Sequence, residues 1–137
     1  MRITAYRKAH FNAAHRLYRP DWNDQKNLEI FGKCSNPNYH GHNYELEVGV
    51  TGEVDPETGF LIDLKLLKEI IREHVEDALD HKNLNKEVKE FETLNPTVEN
   101  IAFVIYQKIK KHIDPRYDLE IKLYETPRNF VVYRGEK

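Results

Sequence analysis

The sequence predicts an α+β domain, an antiparallel sheet with two helices packed on one face, and three observations predict it. Two stretches near the N-terminus alternate apolar and polar residues at the period of a half-buried strand. Two stretches in the middle repeat apolar residues at the helical period, and two more strand-like stretches close the chain, which gives the order ββααββ. At 137 residues and 16.3 kDa the chain has the size of one domain, residues 1–137, and its 39% apolar content supplies a core without disulfide staples.

In the first strand, residues 2–17, Ile3, Ala5, Ala9, Phe11, Ala13, His15 and Leu17 share one face, with Arg7 as the exception. In the second, residues 40–51, the corresponding face carries His40, His42, Tyr44, Leu46, Val48 and Val50. Between them Pro20, Asp21, Asn23, Gly32, Asn36 and Pro37 supply turn chemistry, so this segment is expected to be a long loop. From about Asp63 to Leu79 the stripe Leu64, Leu67, Ile71, Val75, Leu79 predicts the first helix. Asp80 to Asn85 reads as an exit turn, and a charged stretch follows. A second helix is expected to start at Asn95-Pro96, with Val98, Ile101, Ala102, Ile105 and Ile109 as its stripe. Leu119–Thr126 and Phe130–Arg134 are the last two strands, joined by a tight connection at Pro127-Arg128-Asn129.

Lys plus Arg is 21 against 23 Asp plus Glu, a net charge of −2, which argues against a nucleic-acid partner. The longest apolar run, Ile101 to Tyr106, is far below the ~20 residues of a membrane helix, so no membrane association is expected. The N-terminal residues do not read as a secretory signal, and a single cysteine fits a reducing compartment, so the expected location is cytoplasmic.

Polar residues on otherwise apolar faces mark the candidate site, because a buried titratable group must be paired, liganded or neutral. His15 is in phase with Phe11 and Ala13, and His40 and His42 are in phase with Tyr44 and Leu46. If the two strands pair antiparallel, the three imidazoles meet at one end of a hairpin. A lone histidine in such a place is ordinarily a hydrogen-bonded core residue, but a His-x-His with a third histidine in phase points to an open Zn²⁺ site. Gly41 is expected to keep the position between ligands uncrowded. Glu125 ends the apolar face of the third long strand. It is a candidate anchor for two N–H donors of a planar heterocycle, or a partner of Arg128, or simply the point where the strand reaches solvent. Cys34 lies in the long loop beside Lys33. Nearby cations would lower its pKa from about 8.5 and make it a base or nucleophile, whereas a lone cysteine is ordinarily an inert small hydrophobe. Asp80-His81 follows the first helix, where the dipole favours a protonated imidazole. A capping turn is the alternative.

Phe11-Asn12-Ala13-Ala14-His15-Arg16-Leu17, Phe31 through Tyr44 with Cys34, His40 and His42, Leu79-Asp80-His81-Lys82-Asn83-Leu84-Asn85, Thr97-Val98-Glu99-Asn100 and Tyr124-Glu125-Thr126 together resemble the 6-pyruvoyltetrahydropterin synthase family. The resemblance runs in order from about Ile3 to Gly135. It implies the tunnelling fold, with sheets joining into a barrel in a homo-oligomer, typically a hexamer made of two trimers with active sites at subunit interfaces. It implies His15, His40 and His42 as zinc ligands and Cys34 as the catalytic thiolate. Asp80 and His81 would complete a proton-handling triad from a neighbouring subunit, Glu125 would anchor the pterin, and Thr97 and Glu99 would line its pocket.

The implied substrate is 7,8-dihydroneopterin triphosphate and the implied product 6-pyruvoyltetrahydropterin, with zinc as the only cofactor. Arg16, Lys33 and Lys82 are candidates for meeting the triphosphate. A branch of the same family, the 6-carboxytetrahydropterin synthases of queuosine and 7-deazaguanine biosynthesis, releases acetaldehyde from the same substrate. The five residues between Cys34 and His40 resemble the pyruvoyl branch, whereas Asn95-Pro96-Thr97 before Glu99 resembles the bacterial carboxy enzymes and Val98 stands where the pyruvoyl branch commonly has a threonine. Two readings of other classes remain open: a zinc hydrolase with Cys34 as bystander, and a non-catalytic zinc- or pterin-binding assembly protein.

Overall fold

The computed structural model describes residues 1–136. In chain order the elements are β1 (Arg2–His15), α1 (Asp24–Phe31), a 3-10 turn (Gly32–Ser35), β2 (His40–Glu53), α2 (Leu64–Ile71), a π-turn (Arg72–Glu76), α3 (Asp77–Leu79), β3 (Lys82–Asn83), α4 (Leu84–Glu87), a second 3-10 turn (Lys89–Glu92), α5 (Val98–Lys110), β4 (Asp118–Tyr124) and β5 (Phe130–Tyr133). Both long helical stretches and all four expected strands form within a few residues of their predicted limits. The sheet order is β3-β1-β2-β4-β5. β1 and β2 pair antiparallel in one unbroken register from Arg2↔Glu53 to His15↔His40, with no bulge to break the phase of the two faces.

The sheet is mixed rather than wholly antiparallel, because β3 pairs parallel with Ala13 and Ala14 of β1. Two residues are too short to leave a periodic signal, and the segment is set by tertiary contacts instead. The His81 N–H donates to the Asn12 carbonyl (2.6 Å), and the Asn12 N–H donates to Asp80 Oδ1 (2.8 Å). The expected long loop also contains a helix, α1. Asn23 caps it by accepting from the Lys26 N–H, but its one buried residue is Asn27, so it has no apolar stripe to reveal it. Asn27 instead uses its amide to hold the Arg19 peptide, accepting from Arg19 N–H (2.7 Å) and donating to Arg19 C=O (3.0 Å). The Asp63–Leu79 helix is capped by Asp63, which accepts from the Lys65 N–H, and is widened at Arg72–Glu76 by the π-turn.

The core lies between one sheet face and the helices. Phe11, Tyr44, Leu46, Val48, Val50, Ile121 and Leu123 face Leu67, Ile71, Val75, Leu79, Ile101, Ile105 and Ile109, all essentially inaccessible. Burying each large side chain is worth ~1.5–3 kcal/mol. Phe11 stacks on Tyr44 at 4.9 Å, and beyond this pair the same face continues into Ala13, His15, His42 and His40. The apolar core therefore runs directly into the candidate site.

Candidate metal centre and active site

The register sets His15 opposite His40 and Ala13 opposite His42. Residues opposed across an antiparallel pair project from the same face, so the three imidazoles converge. Ring centroids are 4.6 Å apart for His15–His40 and 5.0 Å for the other two pairs, and one nitrogen from each ring lies within 4.8 Å of the others. His15 is fully buried and the other two are half-buried. In all three, Nε2 is buried with no hydrogen-bond partner among the described residues. Such atoms are costly in a native fold, and three of them aimed at one point are satisfied together by a metal cation. The donor set, three imidazoles on rigid strands, fits Zn²⁺ with a coordination position left open.

His15 Nδ1 lies 2.7 Å from the Pro96 carbonyl, which can only accept, so Nδ1 carries the proton and Nε2 keeps its lone pair. Burial pushes the His15 imidazole down to about 4, against the pull of that carbonyl, and burial also lowers His40. Both are neutral near pH 7, the form that ligates. A Cβ at Gly41 would meet the Ala13 carbonyl at 3.4 Å, ordinary van der Waals contact, so crowding within the chain does not require glycine there.

Cys34 is held beside the end of β1, where its carbonyl accepts from the Leu17 N–H at 2.8 Å. The Arg16 Nε donates to the neighbouring Ser35 carbonyl at 2.7 Å. The expected depression of the thiol by nearby cations is reversed: burial pushes the Cys34 thiol up, and the Glu125 carboxylate pushes it further. Lys33, its sequence neighbour, points into solvent. Glu125 is half-buried just past β4, and its charge also acts on His40 and on the Tyr44 hydroxyl. Among the described residues its carboxylate has no hydrogen-bond or ion-pair partner, and the pairing with Arg128 is not made.

Asp80 and His81 form a pair, Nδ1 to Oδ2 at 2.9 Å, with the imidazole 75% exposed. The Asn12 N–H holds Asp80 below the usual carboxylate range, with His81 adding to the effect. His81 sits at φ 59°, a left-handed conformation unusual for a residue with a side chain, and so does Tyr39 (φ 67°), immediately before His40. His81 borders an opening of about 430 Å³ with Asn12, Gly41, Asn43 and Lys82. Among the described residues no hydrogen bond or ion pair joins the Asp80–His81 pair to Cys34 or Glu125 of the same chain.

Thr97 is the N-cap of α5, its Oγ1 accepting from Asn100 N–H at 3.1 Å, and Glu99 is exposed in the first turn. Thr97, Pro96 and Asn100 line a cavity of about 570 Å³ together with Arg16, Tyr18 and Tyr39. Arg16 is thus placed at this side of the molecule, its guanidinium 3.8 Å above the Tyr18 ring, whereas Lys82 lies beside His81. Sequence reasoning missed Asn85, whose amide grips the Arg16 peptide from both sides, accepting from N–H (2.8 Å) and donating to C=O (2.9 Å). It also missed the Pro96 carbonyl, since a backbone acceptor leaves no mark in a sequence.

A family model described as 6-pyruvoyl tetrahydropterin synthase matches residues 4–136. The 6-pyruvoyl tetrahydrobiopterin synthase of Pongo abelii is 46% identical over 130 residues, covering 95% of this chain and 90% of that protein. The solved structure of Caenorhabditis elegans 6-pyruvoyl tetrahydropterin synthase superposes with a TM-score of 0.94 at 39% identity, covering 99% of this chain and 97% of that one. A Bacillus subtilis 6-carboxy-5,6,7,8-tetrahydropterin synthase is 28% identical, covering 93% of this chain and 82% of that protein. Among the described residues no helix is long and apolar enough to cross a membrane.

Proposed function

Because the chain belongs to the 6-pyruvoyl tetrahydropterin synthase family, we propose that it is a lyase converting 7,8-dihydroneopterin triphosphate to 6-pyruvoyltetrahydropterin with release of triphosphate. The observation that carries this is the convergence of three orphaned imidazole nitrogens with a thiol and an unpartnered carboxylate beside them. His15, His40 and His42 would hold a zinc ion, which when bound supplies Lewis acidity toward side-chain oxygens and so acidifies the adjoining C–H bonds.

Glu125 accepts two N–H donors of the pterin ring, and Thr97 and Glu99 bound the ring pocket. Cys34 takes protons from the side-chain carbons and returns them. Burial and the Glu125 carboxylate push the thiol up, so ionising it calls for a positive charge nearby, from a zinc ion on the three histidines or from a protonated imidazole. The exposed Asp80–His81 pair of a neighbouring copy suits that task, with Asp80 orienting the imidazole. Atoms balance without an external oxidant. Elimination of triphosphate leaves an enol that becomes the methyl ketone, and oxidation of the remaining carbinol to a ketone is matched by reduction of the ring C=N bond.

A homo-oligomer, a hexamer of two trimers, follows from the same reading. β3 covers only two residues of β1, and among the described residues β5 has no outer neighbour, so the sheet presents open edges through which copies can continue it. A reducing cytoplasm suits the single free thiol. The test is anaerobic incubation of zinc-loaded protein with 7,8-dihydroneopterin triphosphate and mass spectrometry of the products. The 6-pyruvoyl compound is expected. A 6-carboxy product with acetaldehyde would move the chain to the other branch, and unchanged substrate, where a known family member turns over, would overturn the enzyme reading.

A further inference from the structure

We propose that Asn100 is a positioning residue for the metal centre: its side-chain amide holds the Asn95–Pro96 segment so that the Pro96 carbonyl keeps His15 as the Nδ1–H tautomer, with Nε2 free for a metal. The inference rests on the metal reading above and adds to it a residue that touches neither metal nor His15.

Four bonds hold the segment. Asn100 Nδ2 donates to the Asn95 carbonyl at 2.8 Å, the Asn100 N–H donates to Thr97 Oγ1 at 3.1 Å, and Asn95 Oδ1 accepts from the Tyr18 N–H at 3.1 Å. The Asn95 carbonyl accepts a second bond from the Thr97 N–H at 2.8 Å. Between these anchors sits Pro96, buried, with its φ restricted by the ring and its carbonyl 2.7 Å from His15 Nδ1. The first turn of α5 thus sets where that carbonyl points.

What makes the placement consequential is a competitor. The Tyr44 hydroxyl lies 3.4 Å from the same nitrogen. A carbonyl can only accept, so it demands a proton on Nδ1, whereas a phenol can donate to a bare Nδ1 and would then leave the proton on Nε2. In the native arrangement the shorter Pro96 contact decides. If the Asn100 amide is removed and the Asn95–Pro96 segment drifts, Tyr44 becomes the partner of Nδ1, and His15 carries its proton on the atom that must ligate.

The experiment compares wild type with Asn100→Ala and Asn100→Asp, measuring the zinc dissociation constant by chelator competition and the His15 tautomer of the metal-free protein from its imidazole ¹⁵N shifts. Both variants are expected to bind zinc about 10- to 100-fold more weakly, the range for loss of an outer-shell partner, and to populate the Nε2–H tautomer. Adding Tyr44→Phe to Asn100→Ala removes the competitor and should return His15 to Nδ1–H and recover most of the affinity. Ile109→Val, a core change farther along the same helix, should alter neither readout. Wild-type affinity in the variants, weaker affinity with His15 still Nδ1–H, or an Nε2–H tautomer in the metal-free wild type would each overturn the inference. If wild type itself binds no zinc, the metal reading falls, and the tautomer measurements alone decide the role of Asn100. Should Asn100→Asp fail to fold, Asn100→Ala gives the same decision.

Discussion

Asn85→Ala should destabilise the fold far more than a half-buried asparagine ordinarily would. The side chain makes two bonds to the backbone of one residue, 2.8 Å from the Arg16 N–H and 2.9 Å to the Arg16 carbonyl, and so ties the end of β1 to α4. Each such bond is worth about 1 kcal/mol net, and truncation also leaves a donor and an acceptor without their partners, at a cost of roughly 1–3 kcal/mol when buried. Arg16 is only half-buried, so water recovers part of that, and the sum is about 2–3 kcal/mol. With a urea m-value of roughly 2 kcal/mol/M, the unfolding midpoint should fall by about 1–1.5 M. Asn85→Asp keeps the acceptor and loses the donor, which separates the two bonds, and it should fall between wild type and Asn85→Ala. The assay is equilibrium urea unfolding followed by circular dichroism at one fixed protomer concentration, since association would otherwise shift the midpoint. A midpoint for Asn85→Ala within about 0.3 M of wild type, at unchanged m, would refute the two-bond account.

Zinc at about 100 times its dissociation constant should stabilise wild type by about 2.7 kcal/mol and leave His42→Ala unmoved, read from denaturation with and without metal. A wild-type curve indifferent to zinc would count against a native metal site. Cys34→Ala should fold and bind zinc normally while turnover drops by at least about 10²-fold, the usual share of a general base. Undiminished turnover would return Cys34 to the role of bystander. Mixing Cys34→Ala with His81→Ala, each inactive alone, should restore activity in hybrid oligomers. Its absence, with subunit exchange verified, would rule out a site shared between copies. The Tyr6 hydroxyl (2.6 Å), with Arg134 adding to it against the effect of burial, holds Glu120 below its ordinary 4.5. A carboxylate depressed in the fold contributes stability that is complete above its unfolded value and is lost as the pH falls through the folded one. Glu120→Gln should therefore lower stability near pH 7 and converge with wild type in acid, as measured by urea unfolding across that range. A constant gap between the two curves would exclude this linkage.

Much of the fold and the three-histidine cluster was legible in the amino-acid sequence, because strand periodicity is a local property. Once Phe11, Ala13 and His15 share a phase, and His40, His42 and Tyr44 share another, any bulge-free antiparallel pairing that buries the apolar residues brings the three histidines to one face. The helical stripes of Leu64–Leu79 and Val98–Ile109 are legible for the same reason. α1 escaped because the side chain it buries is the polar Asn27, and β3 because two residues carry no period.

Tertiary structure alone decided how these groups behave. The sign of the Cys34 shift follows from burial, with Glu125, remote in sequence, adding to it, while adjacent Lys33 faces solvent. The tautomer of His15 follows from a backbone carbonyl at Pro96, and the place of Asp80–His81 follows from their hydrogen bonds to Asn12, where β3 runs parallel to the end of β1. Which residues face the core is a matter of phase along one segment, readable residue by residue. Protonation depends on distances between segments and on water excluded by all of them together, and those exist only once the chain has folded.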